Sequence, residues 1–336
     1  MKRLFTLCLA LVTALSLTAC GNHKTAAPSS DTSSNTTADT TASNSASAST
    51  EPTPVGHPAF TTGNNTSSSI TAEDGTEVLL SQCTTCDILY PEECDAQKTI
   101  QADLDQIKEN FCQSTDRITE DAEAYYQEFL DNGGAKSDFA PYKQELTCKP
   151  LRADNSVVSI LFYNYTYYGG AHGSLITFAR NYDAKTGKLL SMQDLGEGVG
   201  SLAIDNVVKF VDAIQDHGDA FFFEKVTAEN SSVQSMLQTG NFYLSEDGLV
   251  LIDGQYLLQP YAAGIVEFTT SYDDLKGKLQ DAYALTGGST NCIGSGAVYT
   301  FDQDGQLVKT ATNYNPMLSD SVAEASTEDG SVSMAS

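Results

Sequence analysis

The sequence predicts an α+β fold of helices packed on antiparallel sheet, on three observations. Apolar residues recur at helical spacing in some windows and alternate with polar ones in others. The two kinds of window come in blocks, not in strict alternation, which separates α+β from α/β. Both ends of the chain lack the large apolar residues a core needs, which leaves one folded region between Ile70 and Lys309.

Taken in order, a short strand is expected around Val78 to Leu80. A helix follows with Ile100, Leu104, Ile107 and Phe111 on one face. After a polar break, Thr119 caps a second helix striped by Ala122, Tyr125, Tyr126 and Phe129, and Gly133-Gly134 stops it. The acidic run Asp103, Asp105, Glu109, Glu120, Asp121, Glu123 and Glu128 reads as a solvated helix face. Val157 to Tyr168 is a long strand. Leu175 to Tyr182 and Lys188 to Met192 form a hairpin around Asp183-Ala184-Lys185-Thr186-Gly187. Helices are expected at Ser201 to Gln215, Ala228 to Gln238 and Asp273 to Ala284. Strands are expected at Asn241 to Leu244, Leu249 to Ile252, Tyr256 to Leu258 and Ile265 to Thr269, with a last hairpin from Ala297 to Val308. That hairpin turns at Asp302-Gln303-Asp304-Gly305, which lacks the further acidic positions of a calcium loop.

The ends of the chain carry targeting information. Lys2 and Arg3 precede an apolar run from Leu4 to Leu17 that is too short to span a bilayer, and the run closes on Leu17-Thr18-Ala19-Cys20. Residues 1–19 therefore read as a lipoprotein signal peptide and Cys20 as the lipidated residue, placing the protein outside the cytoplasm on the outer face of the cell membrane. Residues 20–69 are a Ser/Thr-rich tether with a root-mean-square reach of ~40 Å. Residues 70–150 form a helical and strand subdomain, 151–311 an α+β domain, and 312–336 a disordered acidic tail.

Without the leader, 16 basic residues face 44 acidic ones, a net charge of about −28. That sign argues against nucleic acid and against direct adsorption to anionic lipid, leaving the anchor as the membrane contact, and it favours basic partners. With Cys8 removed and Cys20 modified, Cys83, Cys86, Cys94, Cys112, Cys148 and Cys292 remain. An even count in an exported chain favours disulfides, with fifteen pairings open. Cys83-Thr-Thr-Cys86 lacks the second close pair of a zinc site and the βαβ setting of a redox motif. No metal or cofactor is expected.

The densest local signal is Tyr163-Asn-Tyr-Thr-Tyr-Tyr-Gly-Gly-Ala-His-Gly173. Tyr163, Tyr165 and Tyr167 fall on one face of a strand, and Gly169, Gly170 and Gly173 permit a reversal with His172 at its tip. No nucleophile elbow, metal-binding histidine spacing or phosphate loop accompanies that histidine. The corner therefore reads as a structural or contact element, with Tyr167, Tyr168 and His172 as the candidate ligand-binding residues and no catalytic residue assigned.

The stretches "YTYYGGAHGSLITFARNYDAKTGKLLSMQDL" and "FYLSEDGLVLIDGQYLLQPYAAGIVEFTTSYDDL", preceded by "ILYPEECDAQKTIQADLDQIKENF", resemble the extracellular domain of RsiV-type lysozyme-sensing anti-sigma factors. They are similar also to the accessory region of some peptidoglycan deacetylases. The resemblance implies a non-enzymatic envelope module whose ligand is a lysozyme-like cationic hydrolase. Peptidoglycan is the alternative ligand, and a glycan-modifying enzyme a more distant one. The chain shows neither the sigma-binding and membrane-spanning segments of the first family nor the metal-dependent catalytic domain of the second.

Overall fold

The computed structural model describes residues 58–312; the leader, Cys20, most of the tether and the tail beyond Thr312 lie outside the described residues. The fold is α+β, built on two sheets.

The first sheet has the order β1 (Ala59–Thr71), β2 (Glu77–Leu89), β3 (Tyr142–Ala153), β4 (Val157–Tyr167), β5 (Ser174–Asp183). All its pairs are antiparallel except β2 with β3, which run parallel because α1 (Asp95–Asp131) carries the chain between them. The second sheet has the order β11 (Leu307–Ala311), β10 (Ala297–Phe301), β9 (Asn291–Gly294), β8 (Val266–Ser271), β7 (Gly248–Asp253), β6 (Phe242–Leu244), antiparallel throughout. Before it come α2 (Met192–Leu195), α3 (Val199–Asp216) and α4 (Ser231–Ser235).

Three apolar cores stack these elements. Ile100, Leu104, Ile107 and Phe111 of α1 pack on Ile88, Leu146, Ile160 and Phe162 of the first sheet. That sheet's other face meets the second sheet through Leu161, Tyr163, Leu175 and Ala179 against Tyr243, Val250, Ile252 and Ile265. The far face of the second sheet is covered by α3 through Ala203, Val207, Phe210 and Ile214. The order is helix, sheet, sheet, helix. The last turns of α1 add an aromatic cluster, where Tyr126 and Tyr142 pack with Val78 and Leu79.

Several expectations change for identifiable reasons. The two helices expected on either side of a polar break are one helix of 37 residues. Within it Thr115 and Thr119 donate to the carbonyls of Phe111 and Thr115, and the Thr115 hydroxyl also meets Ser81 and Gln144 on the sheet. A polar core contact thus replaces an apolar one, and no Gly or Pro interrupts the run. The strand β1 begins at Ala59, inside the stretch read as tether, and β2 extends far beyond Val78 to Leu80. The sequence reading places no strand at Tyr142–Ala153, yet β3 lies there. Its course across residue 150 removes the boundary expected at that point. The region does contain a βαβ unit, but Cys83 and Cys86 sit within β2, not at a helix start.

Asp103 is not merely solvated, because it accepts from Tyr182 Oη at 2.6 Å and pairs with Arg180 at 3.1 Å. The helix expected at Asp273 to Ala284 is a chain of turns, since Gly277 stands at φ +76° although Leu275, Leu279 and Tyr283 keep a helical spacing. Lys188 to Met192 makes only a bridge from Leu189 to Tyr182 before α2 starts in a capping box between Ser191 and Asp194. The turn at Asp302 is closed by its own carboxylate, which accepts from the amides of Asp304 and Gln306.

The edges β5 and β6 are joined by one buried side chain. Asn181 Oδ1 accepts from Ser159 Oγ at 2.8 Å and Leu244 N at 3.0 Å, while Nδ2 donates to the Phe242 carbonyl at 2.9 Å. Replacing Asn181 with Ala is expected to destabilise the protein by about 3 kcal/mol, because it orphans buried groups on both sheets. Urea unfolding of the variant against the unaltered protein measures this, and a loss below ~1 kcal/mol contradicts it.

Candidate functional site

The glycine corner is a reversal between β4 and β5, and each glycine has its own reason. Gly169 and Gly170 take φ of +80° and +97°. At Gly173 a Cβ would lie 2.4 Å from the Tyr165 ring, so only a residue without one leaves the ring in place. The corner thereby holds His172 exposed at its tip, where Nδ1 lies 2.8 Å from the Gly173 carbonyl. With Nδ1–H donating there, Nε2 faces outward as an acceptor, 3.5 Å from the Tyr256 hydroxyl.

The partner of this corner comes from the β7–β8 connection. Gln259 is fully buried, and its Nε2 donates to the carbonyls of Gly264 at 2.8 Å, Gly254 at 3.2 Å and Asp253 at 3.4 Å. One amide thus gathers the loop Gly254 to Gly264 into a compact knot. Gln255 Oε1 accepts from Leu175 N at 3.1 Å and ties the knot to the first residues of β5. As a result the Tyr261 ring stacks on His172, with centroids 4.1 Å apart, and Tyr256 lies 5.8 Å from Tyr261.

Tyr256 stands at φ +65° and is 57 % exposed. A bulky residue in the left-handed region costs ~1–3 kcal/mol, and such strain is retained where the surroundings or a function require it. The sequence reading takes Tyr256 to Leu258 as a strand; the segment is instead a turn that presents an aromatic ring to solvent. Beneath the patch, Tyr165 is half-buried beside Tyr261, Tyr167 and Glu145, and burial raises its phenol pKa. Tyr167 donates to the Gly170 carbonyl at 3.1 Å.

Of the three residues expected to form one contact surface, Tyr167 reaches the corner at the Gly170 carbonyl, His172 stacks on Tyr261, and Tyr168 lies elsewhere. Strand alternation turns Tyr168 to the α1 face, where its ring lies 5.4 Å from that of Tyr142. The sequence reading misses Tyr256 and Tyr261, although both lie within the second of the stretches that carry the family resemblance. The Asp-x-x-Thr-Gly-Lys turn proves structural: Asp183 Oδ1 accepts from Lys185 N, Thr186 N and Thr186 Oγ1.

At the root of the same loop, Asp253 is fully buried. Its Oδ1 accepts from Leu258 N, and its Oδ2 has no partner among the described residues. Burial holds this carboxyl well above the usual carboxylate range. Among the described residues no group of three or more His, Cys, Asp or Glu is placed to hold a metal ion.

The ring patch is thus gathered from two distant loops of a two-sheet α+β fold. Comparison with known proteins matches two separate stretches of the chain. Residues 79–175, from β2 into β5, match the family described as Deacetylase PdaC, and residues 206–273, from α3 to just past β8, match the family described as Protein of unknown function (DUF3298). His172 lies in the first match and Tyr256 and Tyr261 in the second. A solved DUF3298-family protein from Bacteroides fragilis is 18% identical with a TM-score of 0.49, covering 68% of this chain and 96% of its own. Another from Pseudomonas aeruginosa is 17% identical with a TM-score of 0.42, covering 70% and 98%. No curated protein matches the chain.

Two expected outcomes follow from this geometry. Because the folded-state pKa of Asp253 is raised, its stability contribution is present below the unfolded pKa and is lost as pH climbs toward the folded value. Asp253→Asn is therefore expected to be more stable than the unaltered protein by more than ~1 kcal/mol at pH 8, with the gap closing toward pH 4. Thermal unfolding across that range checks it, and a pH-independent gap counts against a neutral carboxyl. Gly173→Ala is expected to displace the Tyr165 ring at a cost of about 1–3 kcal/mol, and unchanged stability would show that the ring yields freely.

Proposed function

We propose that this protein is a non-enzymatic binding module of the cell envelope, anchored through a lipid on Cys20, and that the His172–Tyr261–Tyr256 patch engages a lysozyme-like cationic hydrolase. The observation that carries the reading is the ring stack in which His172 and Tyr256 are exposed around a half-buried Tyr261, with Tyr256 held at positive φ. Rigid aromatic rings supply contact area at low entropic cost, which is why they dominate binding hot spots. The excess of acidic residues supports a basic partner, since complementary charge accelerates encounter. The contacts of His172 support binding over chemistry: among the described residues it meets a main-chain carbonyl and two tyrosines.

A second reading is favoured by the same rings, because stacked tyrosines also suit the faces of sugars in wall glycan. The match to a family described as a deacetylase is compatible with that surface being used near peptidoglycan. No helix among the described residues is long and apolar enough to cross a membrane.

Titration of the mature chain with a c-type lysozyme is expected to give submicromolar affinity that weakens with salt yet persists near physiological ionic strength. Replacing Tyr256 and Tyr261 together with Ser should weaken it by roughly thirtyfold while leaving the fold intact. Unchanged affinity removes the patch from the interface. No lysozyme binding, together with retention on purified wall material that the double variant loses, transfers the site to glycan.

A further inference from the structure

The six cysteines of the folded region are not equivalent once placed, and their geometry reduces the fifteen pairings sharply. Cys292 lies fully buried in the core between the second sheet and α3, apart from the other five. Cys94 caps the start of α1 and Cys112 lies five turns along it, about 27 Å away at 1.5 Å per residue. The motif pair Cys83 and Cys86 belongs to a single extended strand. Three residues of strand span about 10 Å between Cα atoms, beyond the ~7 Å limit for a disulfide.

Across the parallel β2–β3 pair the outcome differs. The ladder sets Cys83 beside Leu146 and Thr84 beside Thr147, so Thr85 comes level with Cys148 and Cys86 stands one residue further on. Strands about 4.8 Å apart then separate the Cys86 and Cys148 Cα atoms by about 6 Å, inside the disulfide window, and those of Cys83 and Cys148 by about 8 Å, outside it. Strict alternation would turn Cys86 away from the face that Cys83 occupies. However, β1 carries a register shift between Thr62 and Asn65, opposite this part of β2, and Cys83 and Cys86 both reach the α1 core. Cys148 packs against that core from β3, and the two thiols hydrogen-bond one another.

We propose that Cys86 and Cys148 are a disulfide pair that staples β2 to β3 and closes the β2–α1–β3 unit, and that the Cys83-Thr-Thr-Cys86 motif is not itself a redox pair. Cys148 is the partly exposed member and the one whose thiolate its neighbour's hydrogen bond favours. It attacks a disulfide-bearing oxidant such as glutathione disulfide and displaces one glutathione thiolate. The Cys86 sulfur then attacks Cys148 in the mixed disulfide, forms the protein S–S bond and releases the second glutathione. Two electrons and two protons pass from the cysteine pair to the oxidant. The pairing follows from strand register, independently of the ligand; export only preserves it.

The test takes the reduced full-length protein, oxidises it with glutathione disulfide, blocks free thiols by alkylation and maps peptides by mass spectrometry. Peptides carrying Cys86 and Cys148 are expected to be joined. Because Cys83 and Cys94 share a tryptic peptide with Cys86, the mapping is repeated in Cys83→Ser and in Cys94→Ser, and the link should survive in both. Oxidation should raise the melting temperature by roughly 5–10 °C, and this rise should vanish in the Cys86→Ala/Cys148→Ala double variant. Alkylated Cys86 and Cys148 after oxidation, or a link that disappears in Cys83→Ser or in Cys94→Ser, overturns the proposal.

Discussion

The structure depends on the carboxamide of Asn181. Both sheets end in edge strands at their meeting line, and edge strands carry backbone groups that need partners. Asn181 supplies two acceptor contacts and a donor there at once, and Ala179 N adds a backbone bond to the Gly240 carbonyl at 2.7 Å. Since this join sets how β5 lies against β6, it also determines where the β4–β5 corner stands relative to the β7–β8 loop. The aromatic patch is a consequence of that placement.

A second join acts at a distance from the first. Arg152 leaves β3 at a register irregularity, is almost wholly buried, pairs with Asp154 at 2.6 Å, and donates to the Tyr272 hydroxyl and the Tyr283 carbonyl. The guanidinium is thus satisfied on the far side by groups that follow β8, so a buried charge serves as a fastener between the halves. This explains why the turns after β8 stay compact without forming the helix their apolar spacing suggests. The ring patch joins one residue of the first matched region, His172, to two of the second, Tyr256 and Tyr261.

Within the patch, rigidity has been arranged by ordinary means. The buried Gln259 holds one loop, glycines hold the other, and the exposed rings inherit their positions from both. The strain at Tyr256 is tolerated because the knot leaves its backbone little choice. Beneath the same loop the buried Asp253 carboxyl has one oxygen bonded to Leu258 N and the other without a partner among the described residues, whereas at the opposite end of β5 both oxygens of Asp183 accept hydrogen bonds.

The α+β class, most strands and the helix Val199–Asp216 were legible because period and turn chemistry are local properties, read within a few residues. The glycine corner was legible for the same reason, since a run of Gly between aromatic strand residues has few other uses. Three things required the third dimension. The continuity of α1 through Thr115 depends on polar partners at Ser81 and Gln144, which are distant in sequence. The strand at Tyr142–Ala153 mixes Gln144 and Arg152 into buried positions, and only their hydrogen-bond partners make those residues suited to burial. The ring patch joins His172 to Tyr256 and Tyr261 across some eighty residues and excludes Tyr168 by strand parity. By itself the sequence determined which segments could bury themselves and where the chain must turn. Only the tertiary structure decided which turns meet, because side-chain contacts between distant segments leave no period in the chain.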